Sequence, residues 1–147
     1  MYNINFYAAD VNWQIVALAG MPEIANKHFY PAMHRSANTL MGAIDVPYRT
    51  GLLYSKFRKA VSGKGLFITA RVGFPNMAGV AYAIPLEYGA KPHEIGYVPS
   101  LNVSIRMHPG LPARKFMEHG FHESQGHIES EMEQALHGVV NELAKDS

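Results

Sequence analysis

The sequence has no cysteine, which excludes disulfide bonds and thiolate-ligated metal sites. It also has no apolar run that approaches the roughly 20 residues of a membrane-spanning helix. Residues 1–6 lack the basic segment and the apolar stretch of a secretory signal. These absences favour a soluble protein made in a cytoplasm, with no membrane partner.

Sequence motifs of the common catalytic sites are missing as well. There is no phosphate-binding loop, no dinucleotide-binding glycine turn and no Gly-x-Ser-x-Gly nucleophile elbow. His119 and His122 have a spacing that would let them share a helical face, but His122 and His127 are five residues apart, whereas the zincin motif needs four. The sequence therefore predicts no enzyme activity, no cofactor and no metal. A metalloenzyme ligated by His119 and His122 is the less favoured alternative.

Acidic residues are absent from residues 46–86, although this segment is rich in cations. The cations are Arg49, Lys56, Arg58, Lys59, Lys64 and Arg71. Residues 118–146 reverse the balance, with six glutamates and Asp146 against the single cation Lys145. The two segments are either solvated faces of different sign or complementary surfaces, within one fold or between copies of the chain.

The length of 147 residues predicts one domain, residues 1–147, that is large enough to bury a core. The apolar spacing predicts a short helix at residues 11–19, a long helix at 22–44 that Pro31 kinks or divides, and a last helix at about 113–144 with candidate breaks at Gly120 and Gly126. Leu53, Phe57 and Val61 are predicted on one face of a strand. Residues 62–65 then form a hairpin tip, and a second strand follows at 66–74.

The predicted core consists of apolar residues from the two long helices and the second strand. Its members are Met41, Leu66, Ile68, Val72, Met132, Leu136 and Val139.

Residues 82–93 connect the two halves of the chain. Pro85 argues against a central strand and allows a helical turn, which Gly89 can end by adopting a positive φ. Residues 101–107 alternate as a strand does. The long connection at residues 91–110 contains several prolines and the apolar side chains Ile95 and Tyr97, so we expect it to become ordered on assembly; an ordinary hairpin fixed within its own subunit is the alternative.

Three segments carry a resemblance to a known family. Residues 47–55 resemble the segment of phage tail-completion (neck) proteins that starts with Pro-x-x-Thr-Gly-x-Leu and ends with serine. Residues 82–89 are similar to that family's Tyr-Ala-x-x-Val-Glu-Phe-Gly segment, and residues 112–117 to its Ala-Arg-Pro-Phe-Leu segment before the last helix. The order and spacing of the segments agree over about residues 20–145. Lys115 departs from the pattern, because the family has a proline there.

The resemblance implies an α+β fold: a twisted, mainly antiparallel sheet with two long helices packed on it, one long β-hairpin and a long connecting loop. It also implies a structural role in the virion, after assembly in the host cytoplasm. Copies would form a ring, usually a hexamer, that caps the tail tube as a tail terminator does and joins it to the head–tail connector. The partners would be the chain itself, the tail tube protein, the connector protein and the DNA passing through the lumen.

A ring needs two different matching surfaces on each subunit, and the charged residues are the candidates for them. The predicted subunit-interface or lumen residues are Lys56, Arg58, Lys59, Lys64, Arg71, Glu87 and Arg114. The alternative function is nucleic-acid binding by the basic hairpin, where cations hold phosphates and aromatic side chains stack on bases.

Overall fold

The computed structural model describes residues 22–48, 51–65, 67–75 and 80–145, and for Ile105 its backbone alone. This part of the chain is an α+β fold of helices and two separate two-stranded antiparallel hairpins, as the sequence predicted at that level. The predicted helix at residues 11–19, the core position Leu66 and the cation Arg49 lie outside the described residues.

Helix α1, Pro22–Ala43, is the central element of the core. It packs against the first hairpin on one side and against the last helix on another. Its buried positions recur at helical spacing and include Ala25, Phe29 and Met33. The helix was predicted to be kinked or divided at Pro31; it is not divided there, and the proline lies on its exposed side.

The strand prediction for Leu53 and Phe57 is wrong. Leu53 lies in a one-turn helix, α2, Leu52–Lys56, which follows Gly51 with a φ of 75° and ends where Phe57 becomes extended. Both side chains are nevertheless buried. Residues four apart share a face in a helix as well as in a strand, so the spacing fitted both structures.

Strands β1, Arg58–Lys64, and β2, Phe67–Gly73, form the first hairpin. The register runs from Arg58 opposite Gly73 to Lys64 opposite Phe67, and Gly65 begins the turn. Residues 62–65 are therefore not the hairpin tip, since the first three of them continue β1. The predicted alternation in β2 is confirmed: Ile68, Ala70 and Val72 are buried.

Helix α3, Ala83–Tyr88, is the helical turn predicted around Pro85, and Gly89 follows it with a φ of 78°. The second hairpin comes next, with strands β3, Gly96–Val98, and β4, Val103–Ile105. The strand predicted at residues 101–107 is thus shorter than expected. Leu101 and Asn102 belong to the turn, where Asn102 has a φ of 51°.

Helix α4, Phe116–Lys145, is continuous through Gly120 and Gly126 and begins three residues later than predicted. Its side against α1 buries small residues and branched aliphatic ones. Ile68, Val72 and Val139 of the predicted core are buried, whereas Met41, Met132 and Leu136 are only half-buried and line the edge of the core. Neither long helix, nor any other helix of the described residues, is long and apolar enough to cross a bilayer.

Close approach and ion pairs hold α4 on α1. A Cβ atom on Gly120 would lie 2.5 Å from Cγ1 of Ile44, so only glycine fits where α4 passes the end of α1. Further along, the Arg35 Nε donates to Glu131 Oε2 at 2.7 Å, and the Lys27 Nζ donates to Glu142 Oε1 at 2.8 Å. His28 Nε2 lies 2.7 Å from the same glutamate. Two of the glutamates in the acidic segment therefore have partners inside the subunit.

Candidate functional site

The three segments that resemble the tail-completion family meet at one place in the fold. The Arg114 N–H donates to the Leu86 carbonyl at 2.8 Å, and the Lys115 N–H donates to the Glu87 carbonyl at 3.1 Å, which joins the second segment to the third. Pro47 and Tyr48 of the first segment line the same surface. Residues from three distant parts of the sequence thus form one local structure.

Glu87 fixes the start of α4. Its carboxylate is 4% exposed and accepts hydrogen bonds from the N–H of Met117 (Oε2, 2.9 Å) and the N–H of Glu118 (Oε1, 3.1 Å). The first N–H groups of a helix have no partner within the helix, and they carry the positive end of its dipole. A buried carboxylate is well placed there. Glu87 was predicted as an interface or lumen residue, but its carboxylate is used inside the subunit instead.

Lys115 has a φ of 50° directly before α4. Proline, the residue that the family resemblance leads us to expect at this position, has a φ fixed near −65° and cannot adopt this conformation. A proline at this position would therefore require another backbone path into the last helix. The Lys115 ammonium also pairs with Glu118 at 3.0 Å, and this hydrogen bond is the main cause that lowers the pKa of the Glu118 carboxyl.

An open groove of about 1020 Å³ lies where the three segments meet. Its wall is mainly apolar and comes from Pro47, Tyr48 and Leu52, from α3 and from the base of the second hairpin. The lining residues are Pro47, Tyr48, Leu52, Tyr82, Pro85, Leu86, Ala90, His93, Ile95, His108, Leu111 and Arg114. Arg114 is the one predicted site residue with a side chain on this groove.

The second hairpin forms an arm, defined here as residues 93–108. Its pairs keep one antiparallel register, from the bridges Ala90–Leu111 and His93–His108 to the last pair, Val98–Val103. At about 3.3 Å per residue the ribbon reaches about 26 Å beyond Ala90. Every side chain described from residue 91 to residue 107 is exposed, apart from the half-buried Val98.

Two histidines hold the base of the arm. The rings of His93 and His108 stack with centroids 5.2 Å apart. The Gly110 N–H donates to His108 Nδ1 at 3.1 Å, so this nitrogen is the acceptor and the proton of the neutral ring lies on Nε2. The pair fixes the direction in which the arm leaves the groove.

The basic residues divide between different surfaces. Directly opposed residues of an antiparallel pair point to the same face, so the register places Arg58, Lys64 and Arg71 on the face of the first hairpin that points away from α1. Phe67 lies among them and is 85% exposed. This set is the outer face of the hairpin. Lys59 points to the other face, where its ammonium donates to Asn38 of α1, and Lys56 lies at the end of α2.

The acidic segment is partly used within the subunit. Hydrogen bonds from Lys27, and then from His28, lower the pKa of the Glu142 carboxyl. The exposed glutamates of α4 are Glu123, Glu129 and Glu133, of which Glu129 accepts a hydrogen bond from the Gln125 side chain at 2.9 Å.

The histidines of α4 do not form a metal centre in the described part of the chain. His119, His122 and His127 are exposed, and the described residues contain no group of three or more histidine or carboxylate side chains placed to hold a metal ion.

Sequence reasoning missed the groove, the capping role of Glu87 and the exposed Phe67. The alternation in β2 does place Phe67 on the other face of the strand from the buried residues, so the sequence contained the information that Phe67 is exposed. No protein-family model, curated protein or solved structure matches this chain.

Proposed function

We propose that this chain is a structural subunit of a phage tail-completion ring. Copies assemble head to tail, usually as a hexamer, cap the tail tube and join it to the head–tail connector, with DNA passing through the lumen. The subunit acts by assembly and not by catalysis, and it is located in the virion after assembly in the host cytoplasm. The finer architecture that the resemblance implies, a twisted sheet carrying both long helices, belongs to this proposal.

The observation that supports the proposal most is the meeting of the three family-like segments. A chance resemblance would scatter its matching residues over unrelated parts of a fold. Here Glu87 of the second segment caps the helix that the third segment starts, and Tyr48 of the first segment lines the adjoining groove. The residues that carry the resemblance thus act together as one structural unit.

The surface charges fit a contact between different faces of neighbouring subunits. A closed ring is built from heterologous contacts, in which one surface meets another. The outer face of the hairpin presents Arg58, Lys64 and Arg71, while α4 presents exposed glutamates. In the ring these faces either meet across subunits or, for the outer face, point to the DNA in the lumen.

Light scattering and negative-stain microscopy test the proposal. The full chain should form rings of uniform diameter, and rings held by charge should dissociate between about 0.05 M and 0.5 M salt, as the Debye length shortens. Arg58→Glu with Lys64→Glu should then prevent assembly, whereas Lys59→Glu, on the same strand but the other face, is the matched control. A protein that stays monomeric at every concentration and salt would overturn the ring.

Phe67 favours a second function, nucleic-acid binding. An exposed aromatic ring between cations can stack on a base while the cations hold phosphates. Fluorescence anisotropy with single-stranded DNA separates the two functions. Tight, saturable binding by a monomer that Phe67→Ala weakens at least about tenfold would support this alternative, since one stacked base contributes about 1–3 kcal/mol.

A further inference from the structure

The arm exposes apolar side chains that a solvated hairpin does not need. Tyr97, Leu101, Val103 and Met107 are between 46% and 66% exposed, and Ile95 is 38% exposed. The register puts Tyr97 and Val103 on opposite faces of the ribbon, because Tyr97 pairs with Ser104 and Val98 pairs with Val103. The arm therefore exposes apolar side chains on both faces and at its turn, on the order of 400 Å² in all at about 100 Å² for each half-exposed side chain.

The groove offers the complementary surface. Its apolar wall includes Tyr48, which is 77% exposed, and Tyr82, which is 40% exposed. A stable protein–protein contact buries about 800 Å² on each partner. The arm alone supplies roughly half of that area, and the rim of the groove with the neighbouring charged faces can supply the rest.

The arm of a subunit cannot fill the groove of the same subunit without leaving its observed path. Ala90, His93, Ile95, His108 and Leu111 form the base of the hairpin and are themselves part of the groove wall. From the His93–His108 pair the ribbon continues in one register for about 16 Å to its tip, at about 3.3 Å per residue. Folding the tip back would break that register, so a tip that enters this groove must come from another copy.

We propose that the arm of one subunit inserts its apolar tip into the groove of the next subunit, and that this contact, repeated head to tail, closes the ring. The arm and the groove are different surfaces of one chain, as a heterologous contact requires. The inference rests on the proposed function, because it names the contact between the subunits of that ring.

Disulfide trapping in the full chain tests the contact directly, since the chain has no cysteine of its own. The test protein carries Leu101→Cys in the arm and Tyr48→Cys in the groove. The matched control carries Leu101→Cys with Val140→Cys, because Val140 is a similarly exposed apolar residue of α4 outside the groove. After oxidation, a non-reducing denaturing gel should show a ladder of linked subunits up to the ring size for the test protein and single subunits for the control.

The other gel patterns each overturn the inference. A disulfide within one subunit would show that the arm folds onto its own groove. A ladder that stops at the dimer would show a two-fold exchange of arms, and equal ladders in test and control would show unspecific collision.

Mixing variants gives a second test that does not depend on disulfides. Tyr97→Ser with Leu101→Ser should weaken self-association roughly 100-fold, at about tenfold for each lost apolar anchor. Tyr48→Ser with Tyr82→Ser should do the same from the groove side. Mixed one to one, these proteins have a single intact arm–groove contact between them, so dimers should form and growth should stop there.

Failure of the inference is distinguishable from failure of the proposed function. If the wild-type chain forms rings and the arm variant forms them equally well, the arm contact is wrong and the ring stands. If the wild-type chain forms no rings and the protein with Leu101→Cys and Tyr48→Cys forms no linked subunits, both are wrong.

Discussion

Replacing Glu87 by alanine should destabilise the fold strongly. The substitution leaves the N–H groups of Met117 and Glu118 without their acceptor. Each buried donor left without a partner costs about 1–3 kcal/mol, and removing an anion from a helix N-terminus costs a further 0.3–1 kcal/mol or so. The Glu118 N–H is only partly buried and counts for less than the Met117 N–H, so we expect the free energy of unfolding to fall by about 2–5 kcal/mol.

Glutamine at the same position is the informative companion. Glu87→Gln keeps the shape and one acceptor oxygen but turns an NH₂ group toward the second N–H, so about half of the loss should remain. Urea denaturation followed by circular dichroism measures both variants. In thermal unfolding the alanine variant should melt roughly 5–15 °C lower, at about 2–4 °C per kcal/mol for a chain of this size.

A control separates this cap from an ordinary surface charge. Glu94 is exposed on the arm, and Glu94→Ala should change stability by less than about 0.5 kcal/mol. If Glu87→Ala changed stability as little as Glu94→Ala does, the carboxylate would not hold the start of α4. The structural link between the second and third family-like segments would then be lost.

The remaining predictions concern the packing of the long helices. Gly120→Ala should destabilise the fold by about 1–3 kcal/mol through its clash with Ile44, whereas Gly126→Ala, which meets no atom within 4 Å, should stabilise it by up to about 1 kcal/mol through helix propensity; equal effects in denaturant titrations would refute the close approach. Ser36→Ala should leave stability unchanged or raise it by about 1 kcal/mol in the same titrations, since the buried hydroxyl has no hydrogen-bond partner among the described residues, and a clear loss would reveal a partner. The pKa of Glu142 is held below its ordinary value of 4.5 in the fold, so the stability from its pairing is complete above that pH and is lost as pH falls through the folded pKa. Glu142→Gln should flatten the acid side of the melting-temperature profile, and an unchanged profile would contradict this.

The sequence correctly predicted those elements whose apolar pattern fits only one type of secondary structure. Strand β2 alternates over several residues, and a helix cannot place Ile68, Ala70 and Val72 on one face, so its buried side was predictable. Leu53 and Phe57 are four residues apart, a spacing that fits both a helix and a strand, and the strand prediction was wrong. In the arm, the alternating pattern did indicate a strand, but Leu101 lies in the turn, so β4 is shorter than predicted.

The candidate site was harder to predict because its contacts are tertiary. Glu87 was predicted as an interface or lumen residue, yet nothing in the residues beside it shows that it reaches N–H groups about thirty positions later. The groove likewise needs three segments to meet, which no local spacing reveals. Only the resemblance grouped those segments, and it did so without indicating how they touch.

The single register of the arm has a consequence for how such a protein can diverge. All of its recorded strand pairs lie between Ala90 and Leu111, and its side chains are exposed, so the core gains little from their identity. Substitutions at distant, independent sites have additive effects. The hairpin can therefore be exchanged for one of another sequence while the helices keep their stability. Under the proposed contact, a transplanted arm would determine which subunit binds next.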